Sequence, residues 1–293
     1  MLDFLVVGHI VKDVFPDASD ESRHMAGGTA FYSSIALASL GARVAVVTKL
    51  AAADRALLLA DLTRAGIEVT VRPSRRTTEF VHAFPQGRGG ERVLTLAGRG
   101  DPFEQHDLGA ERAAIGYAGP LTVDDMSASV IRTLRRLCGR VAIDLQGLVR
   151  HVEDGRIVLR GSSAATETLG LAHVVKADLT EAAVVTGERE PDAAARALIA
   201  LGPDEVIVTM NDRGSVVCAK GDLHRMPAMQ PERLVDATGC GDTYLAAYLF
   251  ARLRGDAIGE AAGFAAAAAA CKLQQHGPLR RSAESVRAFF GGQ

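Results

Sequence analysis

The chain lacks an excess of charge of one sign, a cysteine pairing pattern and an apolar run long enough for a bilayer. Each lack removes a class of protein. Lysine and arginine total 33 against 35 aspartates and glutamates, and the basic pairs Arg75-Arg76 and Arg280-Arg281 are too small for a nucleic-acid footprint. The four cysteines, Cys138, Cys218, Cys240 and Cys271, have none of the close spacings of a zinc site or redox dithiol, so reduced thiols are expected. The longest apolar window, 261–271, contains Gly263 and falls short of the ~20 residues that span a membrane. The opening MLDFLVVGHIV carries Asp3 inside its apolar stretch and no basic lead, which reads as a buried first strand rather than a secretory leader. With 48% apolar residues in a length of 293, the chain can bury a sizeable core. A cytoplasmic enzyme with no nucleic-acid or membrane partner is expected.

What is present is an alternation. LDFLVVGHI, RVAVVTKL, AAIGYAG, RVAIDLQG, AHVVKAD and DEVIVTM are strand-length apolar runs; SSIALASLG, DRALLLADLTRAG, SASVIRTLRRLCG and PDAAARALIALG have helical spacing. The order predicts a mainly parallel sheet covered on both faces, a three-layer α/β/α arrangement in one domain over 1–293. Gly41, Gly66, Gly139 and Gly202 each follow a helical segment, where a left-handed C-terminal cap favours glycine. Residues 77–96 break the pattern with two strand-like runs around a glycine-rich turn, as in an antiparallel hairpin. With the polar stretch 11–26, the region 72–97 is expected to form a small β lid over the strand ends, where open α/β sheets place ligands. An edge hairpin without function, or one that pairs between subunits in a homodimer, is the other reading.

The stretch DATGCGDTYLAAYLF, from Asp236 to Phe250, asks for a nearly bare turn and then a helix. MPAMQPERLV before it reads as strand, and the helical run after it stops at Gly255. The first N–H groups of a helix have no intrahelical partner and carry about half a unit of positive charge. Gly239 and Gly241 remove the side chains that would keep an anion away, so the turn Gly239-Cys240-Gly241 is a candidate phosphate cradle. A carboxylate in the same cradle would repel that anion unless it accepts a proton from the attacking group. Asp242 is therefore a candidate general base, with a plain helix N-cap as its alternative. Neither a dinucleotide fingerprint nor a P-loop fits, since Tyr244 stands where a third glycine would and no Gly-Lys-Ser/Thr follows.

DATGCGD resembles the C-terminal signature of the PfkB/ribokinase family of carbohydrate kinases, and MAGGTAFYSSIALASLG, with Gly27 and Gly28, resembles its N-terminal diglycine signature. The resemblance covers essentially the whole chain and implies a ribokinase-like fold, ATP and Mg²⁺ as cofactors, and phosphoryl transfer to an alcohol. By the same resemblance Asp13 would bind substrate hydroxyls, with Gly27, Gly28 and Thr29 bringing backbone against the substrate. Tyr32 stands where ribokinases carry asparagine and would offer an apolar wall. Asp178 and Glu181 occupy the place of the magnesium-associated motif, with aspartate for the usual asparagine, and would act on the ion through water; their spacing also fits a helix-capping pair. Lys176, Thr209, Asn211, Arg213, Gly214 and Thr238 would contact nucleotide together with Gly239 and Gly241. On the helix FAAAAAACKLQQ, Gly263, Ala267 and Cys271 would wall the adenine.

VVGHIVKD, GGTAFYSS, TTEFVHAF and AIDLQGLVR are most similar to the myo-inositol kinase subgroup, which implies a cyclic polyol or sugar as acceptor, with Gln146 facing it and Arg99 assisting. Two alternatives stay open. One is a nucleoside kinase with Phe31 and Tyr32 stacked on a base; the other is a non-catalytic ligand-binding regulator on the same scaffold.

Overall fold

The computed structural model describes residues 2–16, 24–83 and 93–291. Its strands are β1 (Leu2–Val7), β2 (Val11–Val14), β3 (His24–Gly27), β4 (Val44–Leu50), β5 (Glu68–Pro73), β6 (Glu79–Ala83), β7 (Val93–Gly98), β8 (Ala113–Ala118), β9 (Cys138–Asp144), β10 (Arg150–Glu153), β11 (Arg156–Leu159), β12 (Val174–Asp178), β13 (Glu205–Thr209), β14 (Ser215–Ala219) and β15 (Asp222–Met226). The α-helices are α1 (Thr29–Ser39), α2 (Arg55–Arg64), α3 (Ala128–Leu137), α4 (Gln146–Val149), α5 (Ser163–Leu169), α6 (Leu179–Thr186), α7 (Pro191–Ile199), α8 (Cys240–Leu253), α9 (Ile258–Leu273) and α10 (Ala283–Gly291).

A large sheet runs in the order β15-β14-β13-β12-β9-β8-β1-β4-β5. The seven strands from β13 to β5 pair in parallel, and β14 and β15 add an antiparallel edge. Because side chains alternate across a strand, β1 serves two cores at once. Phe4 and Val6 pack with Ile35, Leu245 and Phe264 on one face. Leu5 and Val7 pack with Val130, Leu134 and Leu198 on the other. Full burial of such a side chain contributes roughly 1.5–3 kcal/mol, so both layers are held by the strands between them.

The second sheet has the order β10-β11-β7-β6-β2-β3. It is antiparallel except where β2 lies parallel to β6. Its own core is small: Val11, Phe80 and Leu121. β2 follows β1 closely, so this sheet stands beyond the C-terminal ends of the parallel strands.

Several boundaries differ from the expectations. Arg72 and Pro73 belong to β5 of the large sheet, and the second sheet also recruits β10 and β11, whose residues 150–159 gave no lid signal. The stretch 11–26 contributes β2 and β3; its residues 17–23, and 84–92 of the hairpin, lie outside the described residues. Gly41, Gly66 and Gly202 have the expected positive φ, but Gly139 does not: α3 ends at Leu137 and the chain enters β9 directly. Residues 227–237 form no strand, because Pro227 and Pro231 withhold ladder hydrogens.

Candidate active site

Two helices begin side by side at the C-terminal ends of the parallel strands, and each starts after a glycine of positive φ. Gly28 (φ 88°) precedes α1, Gly239 (φ 73°) precedes α8, and α1 packs on α8. A Cβ at Gly239 would overlap the Tyr32 ring, and one at Gly241 would come within 2.9 Å of Lys176 Nζ. The bare turn is therefore required twice over, by backbone geometry at Gly239 and by a close cation at Gly241. Cys240 N–H donates to Ala237 O at 3.2 Å, which leaves the Gly241 and Asp242 amides without intrahelical partners. Burial pushes the Cys240 thiol up to about 11. Cys240 thus supplies neither thiolate nor amide to the cradle, a correction to its expected place in it.

Asp242 keeps partial access to solvent, yet protein surrounds it closely enough to move its pKa up to about 6. Burial is the main cause and the Asp144 carboxylate the second; Lys176, a hydrogen bond from Thr29 and the Arg150 guanidinium oppose them. Lys176 and Asp144 are register partners on β12 and β9, and Lys176 Nζ donates to Asp144 Oδ2 at 3.0 Å. Burial works against the ammonium, but Asp144, Glu181 and Asp242 outweigh it and raise its pKa. Lys176 is a permanent cation 6% exposed, directly beneath Gly241.

Thr29 joins this centre to the start of α4: its Oγ1 accepts from Gln146 Nε2 at 2.7 Å. On β2, Asp13 lies against the Cα of Gly27, where a Cβ would overlap its carboxylate. Asp13 Oδ1 shares a 2.8 Å hydrogen bond with His82 Nε2 of β6, and the His82 ring stacks on Phe15 at 4.6 Å. His82 was missed. The alternation in β6, with Phe80 and His82 both turned inward, is the signal that could have found it. Tyr32 is 4% exposed and Phe31 3%; the Tyr32 ring lies against Gly239 and meets Phe31 edge to face at 5.3 Å. Neither ring offers its face as a wall for a ligand. Arg99 pairs with Asp124, both side chains partly open to solvent.

At the C-terminal ends of β12 and β13 a cavity of about 330 Å³ is lined by Thr180, Arg189, Thr209, Asn211, Arg213 and Asp178, among others. Asn211 takes φ 54°, so the turn survives asparagine at this place. At Gly214 (φ 87°) a Cβ would overlap Met226 O. Arg189 and Arg213 form no ion pair among the described residues. A cavity of about 160 Å³ at the opposite ends of β8, β9 and β12 is remote from these groups.

Asp178 and Glu181 form a reciprocal capping box. Glu181 N–H donates to Asp178 Oδ1 at 2.7 Å, and Asp178 N–H to Glu181 Oε2 at 3.0 Å. Glu181 Oε1 also takes Arg150 Nη2 at 3.3 Å. The pair is committed to the start of α6 and to Arg150, and the described residues contain no group of three acidic, histidine or cysteine ligands. The two carboxylates therefore serve the helix start, and a magnesium ion organised by them would be reached through water. Thr238 N–H donates to Asp236 Oδ1 at 2.9 Å. On α9 the expected wall is displaced: Ala267 and Cys271 are fully buried and Gly263 faces the Phe290 ring of α10. Ala269 and Leu273 are the partly open positions, and Cys240 Sγ approaches Ala269 O at 3.9 Å.

The family model for pfkB family carbohydrate kinases matches residues 1–284. A cytidine kinase of Thermococcus kodakarensis is 25% identical over 270 residues, covering 89% of this chain and 92% of that protein. An inositol 3-kinase of Arabidopsis thaliana is 25% identical over 274 residues, 88% of this chain and 70% of that one. Among solved structures, a pyrophosphate-dependent kinase in the ribokinase family, complexed with a pyrophosphate analog and myo-inositol, superposes with TM-score 0.85 and 27% identity over 97% of this chain and 99% of that one. Arabidopsis thaliana ribokinase, complexed with ribose and ATP, has TM-score 0.76 at 20% identity over 99% and 98% of the two chains, a likeness of fold alone.

Proposed function

The chain belongs to the pfkB family of carbohydrate kinases, and on that premise we propose that it phosphorylates a hydroxyl of a cyclic polyol of the myo-inositol kind. The observation that carries this reading is a carboxylate, Asp242, with its pKa raised to about 6 next to a side-chain-free helix start. Such a group is a base near neutral pH while its neighbours attract anions. The acceptor hydroxyl gives its proton to Asp242 as its oxygen bonds to the terminal phosphorus, and the bond from that phosphorus to the donor's bridging oxygen breaks. The Gly241 and Asp242 amides and the Lys176 ammonium balance the charge in flight. Positioning and electrostatics supply nearly all of the rate in this chemistry.

Asp13, Gln146 and Thr29 are hydrogen-bonding groups suited to a ring covered in hydroxyls. A nucleoside acceptor is the second reading, favoured by the likeness to a cytidine kinase; the burial of Phe31 and Tyr32 leaves a base without the stacking partners foreseen for it. ATP is the donor expected from the family. Inorganic pyrophosphate is a second reading, favoured by Arg189 and Arg213 in one cavity and by the pyrophosphate-dependent kinase of similar structure. No described helix is long and apolar enough to cross a membrane. The test is a matrix of ATP and pyrophosphate against myo-inositol, ribose, fructose, cytidine and adenosine, read as phosphorylated product. Turnover is expected with myo-inositol; turnover with a nucleoside alone would replace the polyol reading, and none with any pair would favour a non-catalytic regulator.

A further inference from the structure

Lys272, on the last turn of α9, has no solvent exposure, and the chemistry above makes no use of it. Lysine is almost never fully buried unless paired. Its Nζ donates to the backbone carbonyl of Asp236 at 2.8 Å and to Asp236 Oδ2 at 2.9 Å, and it stands 5.9 Å from the centroid of the Tyr32 ring. Asp236 is in turn tied to the turn beyond it. Oδ1 accepts Thr238 N–H at 2.9 Å, and Oδ2 accepts Gly277 N–H at 3.3 Å. The preceding Val235 N–H donates to Leu273 O at 2.8 Å. Since 227–237 has no strand or helix of its own, such bonds decide its path into α8. The Tyr32 ring under the same ammonium is the floor on which Gly239 rests.

We propose that Lys272 is a positioning residue for phosphoryl transfer: by holding Asp236 and the Tyr32 ring it aims the amides of the Gly239 to Asp242 turn at the group in flight. Holding helices together needs no buried charge, since an apolar side chain of similar length does that as well or better. An apolar chain cannot bind two oxygens of one residue and so direct the backbone that follows. The inference rests on the kinase reading, because it assigns Lys272 to the step Asp242 begins.

Lys272→Met is expected to lower kcat on the order of 10²-fold while the KM values for donor and acceptor stay within about threefold of the parent. In Lys272→Ala, methylammonium chloride is expected to restore part of kcat, and sodium chloride at equal ionic strength is not. A folded Lys272→Met with near-parental kcat, a rise in both KM values at constant kcat, or no recovery with methylammonium would overturn the proposal. If Lys272→Met is unfolded at the assay temperature, the Lys272→Ala recovery decides. Parental turnover in the same assay separates this question from the kinase reading. Should the parent transfer nothing to any acceptor, that reading fails, and the Tm rise given by inorganic phosphate decides for Lys272. The rise is expected in the parent and absent in Lys272→Met; an equal rise in both, or none in either, would count against the role.

Discussion

At neutral pH Asp242 is an anion in surroundings that favour its neutral form, with burial and Asp144 outweighing Lys176. The sign of two effects follows. As a base it acts only when ionised, so kcat should fall as pH drops through about 6 and level off above. For stability the direction reverses. A carboxyl whose folded pKa exceeds its unfolded value favours the fold below the unfolded pKa and loses that contribution as pH rises through the folded one. Asp242→Asn should therefore lower kcat roughly 10²–10⁴-fold while donor binding persists. It should also raise stability at pH 7 by up to about 3 kcal/mol, a gain that fades toward pH ~4. Rate profiles and melting curves across pH check both, and near-normal turnover would remove the base. Asp242, Gly239 and Gly241 were legible because their spacing is local to one turn. Asp144, His82 and Lys272 were not, since each owes its role to a partner on a distant element.

At the scale of elements, the site is made by where helices start. The α1 and α8 starts each need backbone that glycine adopts freely, and both place positive helix ends beside Asp242. The two glycines of the α8 turn should respond differently to the same change. Gly239→Ala meets both positive φ and the fixed Tyr32 ring, so strain and overpacking should cost about 2–4 kcal/mol and most of the activity. Gly241→Ala has no positive φ to strain and meets only the Nζ and Cε end of Lys176, which Asp144 holds in a buried pair. It should cost less, about 1–2 kcal/mol in stability, and lose kcat on the order of 10²-fold by displacing the cation. Melting temperature and kcat measured together distinguish the two; equal destabilisation would contradict the assignment. The start of α6 shows what element reasoning left open: Asp178 and Glu181 fitted a cap or a metal, and the bonds to backbone and to Arg150 establish the cap.

Across the whole molecule, the groups proposed for the acceptor and the cavity proposed for the donor stand on different supports. Asp13 and His82 come from the second sheet, whereas Arg189, Thr209 and Arg213 stand around the end of β13 in the large one. Substitutions should therefore separate kinetically. Asp13→Asn should raise the acceptor KM about tenfold or more with donor KM nearly unchanged, and Arg213→Ala should do the converse, as expected when one charge-assisted hydrogen bond is lost. Initial rates with each substrate varied in turn check this; parallel rises in both constants would contradict two separate subsites. The second sheet itself was only half legible. The hairpin of β6 and β7 showed as paired strand runs, but β10 and β11 follow α4 and join the second sheet where Arg156 pairs with Thr95 and Leu96 N–H donates to Gly155 O at 2.8 Å.

By itself the sequence determined the layer plan, the mainly parallel sheet and the GCGD turn, because periodicity and glycine spacing are properties of adjacent residues. Only the tertiary structure decided which charges meet. Lys176 against Asp144, His82 against Asp13, Lys272 against Asp236 and Arg99 against Asp124 all depend on segments far apart in the chain. The energies that shift a pKa fall off within a few ångströms, a distance that sequence separation does not report.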